Sequence, residues 1–151
     1  TYTDVYTLSL HDALPIFIEN LTGNVLFHGI QVKPGMPTML SVVKGTPVLS
    51  LSGNPFAVEA LFEVLAGGYL TDMEASRYLQ KNQMKILKQT FVKTGKMKRI
   101  VKGRCDESGV YLPQIQKNGQ LKNGIGSNCL VIFPEGERTY AEGEAVRVIR
   151  I

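Results

Sequence analysis

The pattern of apolar and polar positions changes character near residues 82–84. From Phe17 to this point, short β-rich runs alternate with helical patterns, whereas the remainder holds five or so short apolar runs separated by Gly, Asn and Asp-Glu-Ser turns. Strands that alternate with helices are typical of an α/β unit, and closely spaced short strands are typical of a small barrel or sandwich. The sequence therefore predicts an α/β unit at 17–83, followed by a small all-β, barrel-like unit at 84–151.

Local signals predict the elements of the α/β unit. They are the end of a helix at Phe17–Leu21 with Gly23 as its C-terminal cap, a strand at Val25–Val32, a hairpin around Lys44-Gly45, a helix from Pro55 to about Leu65 closed by Gly67-Gly68, and a polar helix from Thr71 to about Asn82. The helix that starts at Pro55 is apolar over most of its surface, which predicts burial on most of its sides.

The first sixteen residues fit neither pattern. The stretch TLSLHDALPI, Thr7–Ile16, matches the ten residues that one reading frame of a common sequencing adapter encodes. We therefore predict that residues 1–16 are a non-native leader and that the evolved sequence, a C-terminal fragment of a longer protein, begins at Phe17. A signal peptide is the poorer interpretation, because no positive charge precedes the apolar run.

Composition and charge narrow the class of partner. The chain is 44% hydrophobic and 20% charged, and no apolar run reaches the roughly 18 residues that a membrane-spanning helix needs. The formal net charge is +4, and nine Lys or Arg residues lie between Lys81 and Arg104 without an acid among them. Such a cluster is either a solvated strand face or a surface for anions. Apart from Phe91 it lacks interleaved aromatic residues, so a nucleic-acid partner is disfavoured.

The cysteines and histidines predict no metal site. Cys105 and Cys129 form no CxxC motif and have no histidine near them in sequence, which excludes a zinc site on ligand count. Two free thiols are the expected state, with a disulfide between them as the alternative.

A tight turn from strand to helix is the first candidate site. Ser52-Gly53-Asn54-Pro55 joins a β-rich run to a helix, with Asn54 placed as N-cap and Pro55 at the first helical position. Gly53 leaves room for close approach to the backbone, and the start of a helix favours anions. The turn is therefore a candidate site for an anionic small molecule. The alternative is that these residues serve only to form the turn.

A second loop adds a positive charge. Lys33-Pro34-Gly35-Met36-Pro37 also follows a predicted strand, so both loops are expected at the same edge of one sheet. Lys33 would then lie beside the helix start as a cation. The alternative is a solvated lysine on a rigid turn.

The two loops together resemble a known family. The stretch from VLFHGIQVKPGMPTML to GTPVLSLSGNPFAVEALFEVL resembles molybdopterin molybdenumtransferase of the MoeA type, which carries K-P-G-K-P and then L-P-G-N-P before a helix. The closing SNCLVIFPEGERTYAEGEAVRVIRI is similar to the end of the same family. The resemblance runs from about Phe17 to Ile151.

The resemblance implies a function for the parent protein. That function is insertion of molybdenum from molybdate into adenylylated molybdopterin with release of AMP, in the cytoplasm, with magnesium and as a homodimer. It implies that Lys33, Pro34 and Gly35 of one loop, and Gly53, Asn54 and Pro55 of the other, bind these anionic substrates. From composition, no nucleic-acid or membrane partner is expected. A non-catalytic pterin-binding or protein-interaction module of the same family is the alternative.

The sequence departs from the family pattern at several positions. Ser52 replaces a proline, Met36 stands where a second lysine is usual, and Ala57 stands where a serine often follows G-N-P. The family's arginine in the β-rich unit falls near Lys102, with Arg104 as the alternative. The family's acidic, metal-binding motif should lie immediately before Phe17, where the adapter-like stretch stands instead. This chain alone is therefore expected to be inactive.

Overall fold

Strands dominate the computed structural model, which describes residues 10–66, 81–113 and 126–151, with side chains for 15–65, 81–113 and 126–151. The helical elements are α1 (Leu10–Asn20), α2 (Pro55–Leu61) and a π-helical turn at Phe62–Ala66. The strands are β1 (Asn24–His28), β2 (Val32–Lys33), β3 (Met39–Val43), β4 (Thr46–Ser50), β5 (Asn82–Ile86), β6 (Phe91–Lys93), β7 (Lys98–Cys105), β8 (Val110–Tyr111), β9 (Cys129–Phe133), β10 (Arg138–Tyr140) and β11 (Ala145–Arg150). The polar helix predicted from Thr71 lies largely outside the described residues.

The strands form three sheets. One is three-stranded with the order β1-β3-β4, one is two-stranded with β10 beside β6, and the largest runs β2-β7-β9-β11-β5 with β8 on β7. The β2–β7 pair is parallel, and the other pairs between named strands are antiparallel. The α/β class is confirmed. The barrel-like part is not closed, because β2 and β5 lie at opposite edges of the largest sheet.

Two hydrophobic clusters lie on opposite faces of the largest sheet. The first cluster collects mainly residues of the β-rich part, including Val101, Val131 and Phe133, with Phe91 stacked on Phe133 at a centroid distance of 4.5 Å. The second cluster joins Ala60 and Leu61 of α2 to strand residues of β7, β9 and β11. Because this second cluster crosses residues 82–84, the two predicted units share packing. The division itself stays a prediction, as does the leader boundary, which falls inside α1.

Four local expectations need correction. The residue in the left-handed conformation after α1 is Thr22 (φ 57°), and the Gly23 N–H donates to the Ile18 carbonyl instead. The predicted strand Val25–Val32 is broken at Gly29, whose φ is 84° and whose N–H donates to the Thr38 carbonyl. The helix at Pro55 is also less covered than predicted. Lys93 belongs to the basic cluster that was expected to be either a solvated face or a surface for anions, yet it is only 1% exposed.

The outer side of α2 shows how far its burial was overestimated. Ala57, Ala60 and Leu61 are fully buried, as expected for one apolar stripe facing a core. Val58 and Phe62, however, are 38% and 47% exposed, and so is Leu65 beyond them at 38%. The helix therefore buries one stripe and leaves a second apolar stripe uncovered by the described residues.

Candidate functional site

The loop that carries Lys33 is held in a fixed shape by its own hydrogen bonds. The Ile30 N–H donates to the Met36 carbonyl, and the buried Thr38 hydroxyl donates to the Gly35 carbonyl over 2.7 Å. The Lys33–Pro34 peptide is cis. Lys33 is exposed at the start of this loop, so its ammonium group is accessible to a dissolved anion.

Gly35 joins this loop to α2. The glycine is buried with φ 109°, and a Cβ built on it would lie 2.1 Å from Leu61 Cδ1. Only a residue without a side chain allows the loop backbone to approach the helix so closely. The side chain of Leu61, itself fully buried, therefore fixes the distance between the loop and α2.

The turn at Gly53-Asn54-Pro55 is built as the sequence predicts, and Asn54 is the N-cap of α2. Its Oδ1 accepts from the backbone N–H of Phe56 at 3.0 Å and of Ala57 at 3.3 Å, and Pro55 has no N–H to offer. The backbone N–H groups of Phe56 and Ala57 are therefore not free to bind an anion, because the capping side chain already accepts from both. A ligand here would meet the exposed Gly53 and the Asn54 amide rather than a row of open donors.

The two loops do not leave the same sheet. Lys33 ends β2 in the largest sheet, whereas the Gly53 turn follows β4 in the three-stranded sheet. The expectation of one shared sheet edge is wrong, because the break at Gly29 separates β2 from β1 and lets β2 pair with β7. What joins the loops is α2, which begins at the Gly53 turn and ends at the residue that contacts Gly35.

Strand β7 adds a cation beside α2. The Lys102 ammonium lies 5.5 Å from the centre of the Phe56 ring and 2.5 Å from Glu59 Oε2. A cation over an aromatic face and next to a carboxylate is held by both contacts. Lys102 is the first of the two positions matched to the family's arginine, and the structure places it against the helix of the Gly53 turn. Ala57, at the position where a serine often stands, is fully buried beneath this surface.

Arg104, the alternative to Lys102, lines a different place. Together with Asp106 and Tyr111 it borders an open cleft of about 330 Å³. Asp106 Oδ1 accepts from the Ser108 hydroxyl at 2.6 Å and from two backbone N–H groups, which lowers the pKa of its carboxyl, with Arg104 adding a smaller effect. The sequence predicts only a turn at Asp-Glu-Ser and does not predict this cleft. Tyr111 lies beside Arg104 because β8 pairs with β7, and local sequence signals do not indicate that pairing.

The described residues do not fit a magnesium site. No group of three His, Cys, Asp or Glu side chains in residues 10–66, 81–113 and 126–151 could hold a metal ion. The carboxylates near the candidate site are engaged with lysines, namely Glu59 with Lys102 and Glu63 with Lys81. No chemical step is therefore assigned to magnesium on this part of the chain. None of the helices described is long and apolar enough to cross a membrane.

Comparison with known proteins gives consistent relatives. No known protein-family model matches the chain. Curated relatives include the molybdopterin molybdenumtransferase of Staphylococcus aureus strain COL, 26% identical over 143 residues, covering 91% of this chain and 34% of the relative. The Bacillus subtilis strain 168 protein of the same name is 26% identical over 149 residues, covering 93% and 34%.

Solved structures agree with these relatives. The MoeA molybdopterin biosynthesis protein of Pyrococcus horikoshii is 28% identical with a TM-score of 0.74, covering 92% of this chain and 34% of that one. A second structure, of the protein from Pyrococcus horikoshii OT3, is 25% identical with a TM-score of 0.70, covering 85% and 33%. The resemblance to the MoeA-type molybdopterin molybdenumtransferases is confirmed, and the chain spans about a third of the length of the curated relatives that it matches.

Proposed function

We propose that the parent protein acts in molybdenum cofactor biosynthesis and inserts molybdenum from molybdate into adenylylated molybdopterin, with release of AMP. The observation that carries the proposal is the packing of the Lys33 loop on α2 through Gly35 and Leu61. It connects the loop and the turn that resemble the family's K-P-G and G-N-P segments. Similarity to proteins named molybdopterin molybdenumtransferase covers 91% of the chain and supports the assignment.

Charge gives each proposed site residue a role. Molybdate and the phosphates of adenylylated molybdopterin are anions, so the exposed Lys33 ammonium would attract them as a point charge. Pro34 and Gly35 hold that lysine at a set distance from α2. Gly53 gives access to the backbone at the start of α2, and Asn54 and Pro55 fix the direction of that helix. The 151-residue chain spans 34% of the length of the Staphylococcus aureus relative, and we expect it to be inactive alone.

The proposal includes the setting of the reaction. The substrates are small anionic molecules, the active protein is a homodimer of the full-length chain, and the compartment is the cytoplasm. Magnesium, if the reaction uses it, would take its ligands from outside the described residues, since these offer no suitable set.

Asn54→Asp tests the substrate role of the turn without unfolding it. Asp and Asn are nearly equal as N-caps, and a negative charge at a helix start stabilises by about 0.3–1 kcal/mol. The same charge would repel an anion about 4 Å away by about 1–4 kcal/mol, depending on the local dielectric. We therefore expect Asn54→Asp to keep its thermal stability and to raise KM for the anionic substrate roughly fivefold or more.

The assay uses the complete protein with adenylylated molybdopterin and molybdate, and AMP release is followed by chromatography. Asn54→Ser is the matched control, because serine keeps the cap without adding charge. Equal KM values for Asn54→Asp and Asn54→Ser would remove the turn from the substrate site. Absence of molybdate-dependent AMP release from the unmodified complete protein would reject the transferase proposal altogether.

A second candidate is a non-catalytic module that binds pterin or another protein. The observation that favours it is the uncovered apolar stripe of α2 at Val58, Phe62 and Leu65. Apolar side chains left in water on one side of a helix are typical of a contact surface. Binding of the pterin by the complete protein without any AMP release would support this candidate over the transferase.

A further inference from the structure

One lysine of the largest sheet holds the start of α2 at two points. Lys102 lies on β7 opposite Leu130, a member of the cluster that packs against α2, so its side chain leaves the sheet on the helix side. The Lys102 ammonium lies 5.5 Å from the centre of the Phe56 ring and 2.5 Å from Glu59 Oε2. Phe56 and Glu59 are three residues apart and share one face of the helix. A single cation therefore contacts two consecutive turns of α2.

The short length of α2 makes this contact important. The helix has only seven residues, and its fully buried members are Ala57, Ala60 and Leu61. Leu61 contacts Gly35 at the end of the helix, whereas the two alanines nearer the start present only a methyl group each to the core. The large side chain at the start, Phe56, is only partly buried, and Lys102 covers it. The direction of the first turn therefore depends on the contact between Phe56 and Lys102.

Glu59 has a simpler interpretation as one half of a surface ion pair. Its side chain is 41% exposed, and exposed ion pairs stabilise a fold only weakly. That interpretation gives the ring no part, although the ammonium lies over Phe56 and beside Glu59 at the same time. A lysine ammonium is strongly hydrated and its side chain is flexible, so a ring alone holds it weakly. The carboxylate adds the second contact that keeps the ammonium over the ring.

We propose that Glu59 is a positioning residue of the substrate turn. Its carboxylate holds Lys102 over Phe56, and this contact fixes the first turn of α2. The Phe56 N–H donates to Asn54 Oδ1, so a shift of the helix start moves the capping amide and the adjacent Gly53. The proposal rests on the proposed function, in which this turn contacts the anionic substrate. In this role Glu59 acts through Lys102 and does not contact the substrate.

Charge and positioning make opposite predictions for Glu59. A carboxylate near a site for anions repels them, so its removal would lower KM if electrostatic repulsion were its only effect. If Glu59 positions the turn, its removal raises KM although a negative charge is lost. Glu59→Gln distinguishes the two, because glutamine keeps the shape of the side chain without its charge. The matched control is Glu63→Gln, since Glu63 is paired with Lys81 at 3.4 Å on the π-helical turn, farther from the substrate turn.

Steady-state kinetics of AMP release by the complete protein give the first test. We expect Glu59→Gln to raise KM for the anionic substrate about threefold and to change kcat by less than about twofold, within the roughly two- to fivefold effect of a partly exposed ion pair on an equilibrium. Glu63→Gln should change KM by less than about 1.5-fold. Lys102→Arg keeps the charge and a side chain that stacks on a ring, so its KM should stay within about twofold. An unchanged or lower KM in Glu59→Gln, or equal effects of both glutamine variants, would overturn the proposal.

Hydrogen exchange tests the same role without turnover. The amides of Phe56 and Ala57 donate to Asn54 Oδ1, and their exchange in the complete protein reports opening of the helix start. We expect about threefold faster exchange in Glu59→Gln and no change in Glu63→Gln. If the unmodified complete protein releases no AMP, the transferase proposal fails, and faster exchange confined to Glu59→Gln would still support the positioning role. Equal exchange in the two variants would overturn that role.

Discussion

The contact between Gly35 and α2 supports a quantitative prediction. Substitution Gly35→Ala introduces a Cβ 2.1 Å from Leu61 Cδ1 and 3.0 Å from Leu61 Cγ, and the Leu61 side chain is fully buried. The backbone at Gly35 has φ 109°, which residues other than glycine adopt only with strain. The substitution therefore combines a backbone cost with a steric cost.

The two costs can be estimated separately. A left-handed backbone costs a residue with a side chain about 1–2 kcal/mol. Overpacking of a filled core costs about 1–3 kcal/mol, because the buried Leu61 must leave its preferred rotamer or the loop must move. We expect Gly35→Ala to lower the free energy of unfolding by about 2–5 kcal/mol, a large part of the roughly 5–15 kcal/mol typical of a domain.

Gly45→Ala is the control for the backbone cost. Gly45 has φ 82° and no atom within 4 Å of a built Cβ, so alanine there is expected to cost only about 1–2 kcal/mol. Urea unfolding of both variants, followed by circular dichroism, gives the two free energies. Their difference isolates the contact with Leu61.

A double-mutant cycle identifies the partner atom. Leu61→Ala alone is expected to cost about 2–5 kcal/mol, since it leaves a cavity. In that background the methyl group introduced by Gly35→Ala enters vacated space, so the double variant should be more stable than the sum of the single effects predicts, by about 1–3 kcal/mol. Equal costs for Gly35→Ala and Gly45→Ala, or strict additivity in the cycle, would refute the reasoning.

Two further predictions concern buried groups in the β-rich part. Lys93→Met removes an ammonium group that donates to the carbonyls of Gly95 and Gly136. We expect it to lower the free energy of unfolding in urea by about 1–3 kcal/mol. The control Lys96→Met, at an exposed position, should lower it by less than about 0.5 kcal/mol. Burial raises the pKa of the Cys129 thiol from 9.0 to about 12, so the folded state keeps a proton that the unfolded state releases between those values. The Cys129 thiol should therefore not affect the free energy of unfolding below about pH 9. Between about pH 9 and 12 it should lower that free energy by up to about 1.4 kcal/mol per pH unit. Thermal melts of Cys129→Ala across this pH range should lack that part of the slope.

Local chemistry made the hairpin and the helix start predictable. Lys44 and Gly45 both have positive φ, 49° and 82°, as a two-residue hairpin with a primed turn requires. Asn54 and Pro55 occupy the cap and first helical positions to which their side chains are suited. These features depend on residues a few positions apart, so the sequence contains all the information that decides them.

The broken strand illustrates the opposite case. Val25–Val32 has the composition of one strand, but the Gly29 N–H pairs with the Thr38 carbonyl and β2 departs to a sheet built mostly from residues beyond 81. The segment can pair with strands of two different sheets, and packing against residues far along the chain decides between them. Strand propensity and hydrophobic periodicity do not contain that information. The same limit applies to Lys93, whose burial depends on two glycine carbonyls, one of them 43 residues away.

The candidate site depends both on local sequence signals and on pairing between residues far apart in the chain. Turn chemistry in the sequence indicated Lys33, the Gly53 turn and the capping role of Asn54, and the family resemblance then implied which anions they bind. Strand register, by contrast, places Arg99 opposite Lys33, because a residue far from Lys33 in sequence becomes its direct neighbour only through the β2–β7 pair. The Lys33 loop is consequently attached on one side to α2, through Gly35, and on the other to β7, through the β2–β7 pair. A change in either contact would move the same ammonium group, so Gly35→Ala should raise KM for the anionic substrate as well as lower stability, whereas Gly45→Ala should leave that KM unchanged.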